Sequence, residues 1–149
     1  MDKVTPKSSE MFQANRDRAA PLLKQLRADG IGHMIDGKIV PSISGDTFET
    51  NSPIDGAVLA SVARGNAEDI DRAATAAALA FKAWRDMPAT MRKKLLHRVA
   101  DAIEDRGDDI AVLECIDTGQ AHRFMAKAAV RAAENFRFSP TNAPMRVTA

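Results

Sequence analysis

The residues able to do chemistry are few. Cys115 is the only thiol, and a thiol becomes a nucleophile only where an electropositive, accessible setting lowers its pKa. Cys115 instead stands in the apolar run Leu113-Glu114-Cys115-Ile116, where free cysteine behaves as a small core side chain. The three histidines, His33, His97 and His122, are scattered. With a single cysteine they form no zinc-ligand spacing, so a metal-dependent hydrolase has no support. Glu68, Glu104 and Glu114 sit in helical stretches and read as surface or capping charges. Gly30-Ile31-Gly32 opens like a phosphate loop, but the third glycine of a dinucleotide fingerprint would fall where Ile35 stands, and no strand precedes it. Arg92-Lys93-Lys94 with His97-Arg98 is a basic cluster, yet Asp101, Glu104 and Asp105 follow within i,i+4 reach. That mixture reads as a self-neutralising solvated face, not a nucleic-acid surface.

The elements that must position these residues are mostly helical. Ile70, Ala73, Ala74, Ala77, Phe81 and Trp84 recur at three- and four-residue steps, a helical face that starts after Asn66 and stops at Pro88. A second helix carries Met91, Leu95, Val99, Ala102 and Ile103 on one stripe and ends at Gly107, a residue tolerant of positive φ. A third runs from about Asp108 to Gly119. A fourth, from Gln120 to Phe138, places Met125, Ala129, Ala132 and Phe136 at helical spacing and stops at Pro140. Ahead of these, Asp36-Gly37 between Met34-Ile35 and Ile39-Val40 predicts a type I′ hairpin. Strands at 47–50 and 58–63 around a turn at 53–56 extend it into a small antiparallel β-meander. Met1 to Asn15 reads as polar chain without fixed structure, and Ala19 to Asp29 as a short helix with Pro21 in its first turn.

Bulk properties narrow the class. A chain of 149 residues with net charge +1 has room for one ordinary domain. Its charge directs it toward neither nucleic acid nor an anionic membrane. One cysteine permits no internal disulfide, which fits a reducing compartment. No apolar run has membrane-spanning length, and Met1 to Ala20 lacks the core of a secretion signal, so a cytoplasmic location is expected.

Several separate motifs then fall in a recognisable order: Asn66-Ala67-Glu68-Asp69-Ile70-Asp71-Arg72-Ala73, Ala80-Phe81-Lys82-Ala83-Trp84, Leu95-Leu96-His97-Arg98-Val99-Ala100-Asp101 and Leu113 to Gln120. Together, over roughly His33 to Phe138, they resemble the amino-terminal part of the aldehyde dehydrogenase superfamily. The resemblance covers about the first quarter of a family member. It implies an α/β fold class, represented here by the β-meander followed by mainly helical chain. It also implies an NAD(P)-dependent parent reaction, aldehyde to carboxylate by covalent cysteine catalysis and hydride transfer.

The family's catalytic cysteine, general-base glutamate, oxyanion-hole asparagine and nucleotide loop belong to later sequence. No catalytic or cofactor-binding residue is therefore carried onto this chain, and neither NAD nor NADP is expected to bind it. One site does transfer: Thr50, Asn51 and Asp117 match amino-terminal ligands of a structural monovalent cation, K+ or Na+. The bland alternative is that Asp117 caps or pairs locally at its helix end. Leu113–Gln120 and Ala129–Phe136 look most like members acting on semialdehydes from aromatic-ring breakdown.

The organisation expected is an amino-terminal extension at 1–32, an incomplete amino-terminal cofactor-domain part at 33–138 and a divergent irregular tail at 139–149. A frameshift after Phe138 would account for that tail. The chain is expected to be an inactive truncated dehydrogenase that acts on no aldehyde by itself. Its expected partners are other copies of itself or the full-length enzyme. The alternative is a free-standing helical interaction module on the same scaffold.

Overall fold

The computed structural model describes residues 8–142. The expectations for Met1–Lys7 and Ala143–Ala149 lie outside them. The first element, α1 (Ser8–Asp29), starts well before the short helix expected at Ala19 and carries Pro21 inside it. Ala19 is its buried anchor. The Arg18–Asp108 ion pair and the bond from Arg27 Nε to the Val58 carbonyl (3.1 Å) fasten α1 to later elements. These partners are far away in sequence, which explains why periodicity missed the helix's full length.

The expected meander is two separate antiparallel hairpins. Strands β1 (His33–Ile35) and β2 (Lys38–Val40) close through Asp36 at φ 51° and Gly37 at φ 70°. Both central residues have positive φ, as a type I′ turn demands. Gly32 has a steric duty here, because a Cβ on it would lie 2.7 Å from the Val40 carbonyl oxygen. Strands β3 (Thr47–Asn51) and β4 (Val58–Ala63) pair next, with a register shift between Thr50 and Asn51. Thr50 faces Ala60 and Asn51 faces Val58, so Leu59 is the extra residue of a bulge. The bulge breaks strand alternation, and Leu59 and Ala60 are both buried.

Helix α2 (Ala67–Asp86) opens on a capping box. Asn66 Oδ1 accepts from the Glu68 and Asp69 N–H groups, and Asp69 Oδ2 accepts back from the Asn66 N–H. Asp69 is 2 % exposed. Its carboxylate also takes the Ser42 hydroxyl at 3.0 Å and the Ile43 N–H at 3.1 Å, tying the loop after β2 to the helix start. Asp69 is the only buried residue of α2.

Helix α3 (Ala89–Asp105) follows after Met87-Pro88. Arg92 turns back to donate to the carbonyls of Trp84, Arg85 and Met87, filling the open end of α2. The expected α3 stripe is displaced: Met91 and Val99 are exposed, whereas Ala100 is fully buried. The reason is α6 (Ala128–Asn142), α3's main partner, which presents buried Ala129 and Ala133. Arg137 of α6 takes both Asp101 (2.7 Å) and Glu104 (2.6 Å). These acids therefore bind across helices instead of along their own basic cluster.

Helix α4 (Gly107–Thr118) begins at Gly107, which does not use positive φ. A Cβ there would lie 3.4 Å from that of Ala129, so this glycine marks a close helix approach. Ala111 and Val112 are the buried residues of α4. The expected fourth helix divides into α5 (His122–Met125) and α6, whose backbone continues past position 140.

Candidate functional site

The carboxyl end of α4 and the end of β3 converge. Gly119 adopts φ 72° and donates its N–H to the Cys115 carbonyl, closing α4 with a left-handed cap. A Cβ on Gly119 would meet Pro53 Cγ at 3.2 Å, so the helix end abuts the β3–β4 turn. Thr50 Oγ1 then donates to Asp117 Oδ1 at 3.3 Å. Two of the three residues proposed as cation ligands are thus side by side although 67 positions apart. The third, Asn51, donates its side-chain N–H to the Gly56 carbonyl at 3.3 Å, which leaves its oxygen atoms to offer as ligands.

The electrostatics favour a cation. Asp117 lies in the last turn of α4, where the helix dipole is negative, and no basic residue occupies that turn. The donors are hydroxyl, carboxylate and carbonyl oxygens, the hard ligands that monovalent cations prefer.

Next to this corner lies an open groove of about 370 Å³. Leu23 and Leu26 of α1, Ile31, Leu59 of β4, and Ile110 and Leu113 of α4 line it, together with Thr50, Glu114 and Asp117. The spacing of Leu22, Leu23 and Leu26 reads as a buried helix side, and the structure leaves these three half-buried, with Leu23 and Leu26 forming the α1 wall of the groove.

Cys115 is half-buried and donates to the Gln120 carbonyl at 2.9 Å. Burial pushes its thiol above the usual range, opposite to what activation requires. Glu114 and Glu68 are exposed, and Glu104 is held below the usual carboxylate range by the Arg137 guanidinium. Among the described residues, no group of three His, Cys, Asp or Glu side chains is placed to hold a metal ion. Nor is any helix among them long and apolar enough to cross a membrane.

Comparisons with known proteins place this architecture. The model of the Aldehyde dehydrogenase family matches residues 39–147, running into the stretch set apart above as a tail. A mitochondrial benzaldehyde dehydrogenase from Antirrhinum majus is 42 % identical over 99 residues, covering 65 % of this chain and 18 % of its own. Aldehyde dehydrogenase 1 from Tanacetum cinerariifolium is 49 % identical over 58 % of this chain and 18 % of its own. The crystal structure of HpcC from Thermus thermophilus superposes with TM-score 0.81 at 40 % identity, over 84 % of this chain and 24 % of that one. An NAD+ complex of an aldehyde dehydrogenase from Bacillus cereus superposes with TM-score 0.76 at 33 % identity, over 81 % of this chain and 25 % of that one. The chain spans about a fifth of the length of the curated relatives it matches (18 %). With a family match across most of its residues and solved relatives that share its fold, the chain belongs to the aldehyde dehydrogenase family.

Proposed function

We propose that this chain forms the amino-terminal part of an NAD(P)-dependent aldehyde dehydrogenase and has no dehydrogenase activity by itself. The observation that carries the reading is the family match across 39–147 joined to coverage of only 18 % of a relative. In the parent reaction a cysteine thiolate adds to the aldehyde carbon, and the resulting thiohemiacetal loses hydride to the nicotinamide. Cys115 does not suit that role, since its thiol is shifted up and bonded to a main-chain carbonyl.

What these residues contribute is support. Thr50, Asn51 and Asp117 would hold a structural K+ or Na+ between the β3–β4 hairpin and α4, completed by ligands from chain beyond this segment. The finer reading is a cytoplasmic enzyme for semialdehydes of aromatic-ring breakdown, with an extension at 1–32 ahead of the dehydrogenase part. The resemblance of Leu113–Gln120 and Ala129–Phe136 supports that substrate class. Partners in this reading are further copies or the complete enzyme. The exposed apolar face of α2 favours the rival, a free-standing interaction module.

The test is an assay of the purified chain with NAD+ or NADP+ and a panel of aldehydes and semialdehydes. No aldehyde-dependent NADH or NADPH is expected. A robust rate, especially one surviving Cys115→Ala, would overturn the reading.

A further inference from the structure

The dipeptide Asp-Gly occurs three times, at Asp29-Gly30, Asp36-Gly37 and Asp55-Gly56. A glycine carries no Cβ to shield its main-chain nitrogen, so in this sequence the nitrogen can reach the carboxyl carbon of the aspartate before it and close a five-membered ring. Two conditions govern the step. The glycine N–H must be free of an acceptor, because the nitrogen has to give up its proton. The carboxyl must also be able to turn neutral, because a carboxylate repels the nucleophile and offers no good leaving group. The three copies differ on both counts.

Gly30 donates its N–H to the Leu26 carbonyl at 2.9 Å, and Gly56 donates to the Ser52 carbonyl at 2.8 Å. Gly30 is crowded as well, since a Cβ there would lie 3.2 Å from the Ser61 carbonyl oxygen. Asp55 is locked a second time. Its Oδ1 accepts the Ala57 N–H at 3.1 Å, and this bond, with help from the Ser52 hydroxyl, holds the carboxyl below the usual range and so in its unreactive charged form. Asp36-Gly37 has neither restraint. The type I′ turn pairs Ile35 with Lys38 and, among the described residues, gives the Gly37 N–H no acceptor. Nor does any hydrogen bond or ion pair among them engage the Asp36 carboxylate. Both residues are exposed, and a Cβ on Gly37 would meet no atom within 4 Å.

We propose that Asp36 is a covalent modification site, and that the native fold confines aspartate isomerisation to this one of its three Asp-Gly sequences. The Gly37 nitrogen forms a bond to the Asp36 side-chain carboxyl carbon. One carboxyl oxygen leaves as water, taking the nitrogen's proton, and a succinimide results. Water then opens the ring. Attack at the side-chain carbonyl restores aspartate, whereas attack at the main-chain carbonyl leaves isoaspartate, its chain running through the side-chain carbon and its α-carboxylate free. No atom is oxidised or reduced. The isomer adds one main-chain atom to a turn in which both residues hold positive φ to match the strands. Pairing of β1 with β2 is thereby disturbed, and with it the seat of β1 on α2, where His33 Nε2 lies 3.9 Å from Asp69 Oδ2. The new α-carboxylate defines a partner class: an enzyme that transfers a methyl group to it from a sulfonium donor, leaving the donor as a thioether.

The experiment ages the full 149-residue chain at mildly acidic pH, once native and once in urea. Electron-transfer fragmentation of proteolytic peptides, which separates the two linkages at equal mass, then maps isoaspartate at positions 29, 36 and 55. In the native chain, position 36 should carry at least fivefold more isoaspartate than either other position. In urea the three should agree within threefold, because the hydrogen bonds that distinguish them are gone. Protein isoaspartate methyltransferase with tritiated S-adenosylmethionine should label the peptide containing position 36 in the aged native chain. Asp36→Asn keeps the turn, since Asn-Gly suits type I′, and its amide is neutral throughout and releases ammonia. It should convert at least tenfold faster than the parent at neutral pH. Comparable conversion at all three native sites, or a lead for position 29 or 55, overturns the proposal. So does a native position 36 that stays aspartate where urea converts it, an unlabelled peptide, or a stable Asp36→Asn variant. A preference for position 36 that persists undiminished in urea overturns it too, since the fold would then not be its cause.

Discussion

Asp69 is the residue whose placement is most over-determined. Burial disfavours its charge, but the N–H groups of Asn66 and Ile43, the Ser42 hydroxyl and nearby His33 together hold its carboxyl below the usual range. A depressed folded-state pKa stabilises the fold above the unfolded value, about pH 4, and that contribution is lost as pH falls through the folded pKa. Asp69→Asn should therefore lower Tm at neutral pH and flatten the acid limb of a Tm-against-pH profile. Asp69→Ala should lower Tm by roughly 5–10 °C at pH 7 by scanning calorimetry, since it removes the cap and strands the Ser42 and Ile43 donors. An unchanged acid limb in Asp69→Asn would show that the carboxylate is not ionised by its donors. The capping half of this arrangement was legible in Asn66 and Asp69, because it lies within four residues. The Ser42 half was not, because it joins segments 27 positions apart.

At the level of elements, the features readable from sequence are those closed by neighbouring residues: Asp36-Gly37 with both φ positive, Gly119 in the left-handed region, and Pro88 at the α2–α3 corner. The α3 stripe was read a quarter-turn or more away from its true seat. Amphipathic spacing records where apolar residues are, not which of them a partner will cover, and α6 selects Ala100 by presenting Ala129 and Ala133. The Thr50–Asp117 pair was legible only through family resemblance, since no local pattern links a strand end to a distant helix end. The seam of small residues makes a sharp prediction. Ala100→Leu inserts volume between α3 and α6 and should cost about 1–3 kcal/mol in chemical denaturation. The same change at exposed Ala74 should be within about 0.5 kcal/mol. Equal effects at both positions would mean the α3–α6 seam is not close-packed.

At the scale of the whole molecule the interior is thin: among the described residues the buried hydrophobic ones are mostly alanines, and Val112 is the largest side chain that is fully enclosed. Such a core yields little burial free energy relative to chain entropy. The isolated chain is expected to unfold over a broad range and to self-associate as concentration rises. Light scattering with a thermal melt checks this, and a monodisperse monomer with one steep, reversible transition is the contrary result. The way α2 is mounted sets its mechanics. Clamped at Asp69 and again at Arg92, it resembles a beam supported at both ends more than a flap on a hinge, so thermal deflection is greatest near mid-span and smallest at the supports. A partner would meet a rail already laid straight, and most of the ordering entropy of capture would fall on the partner's side.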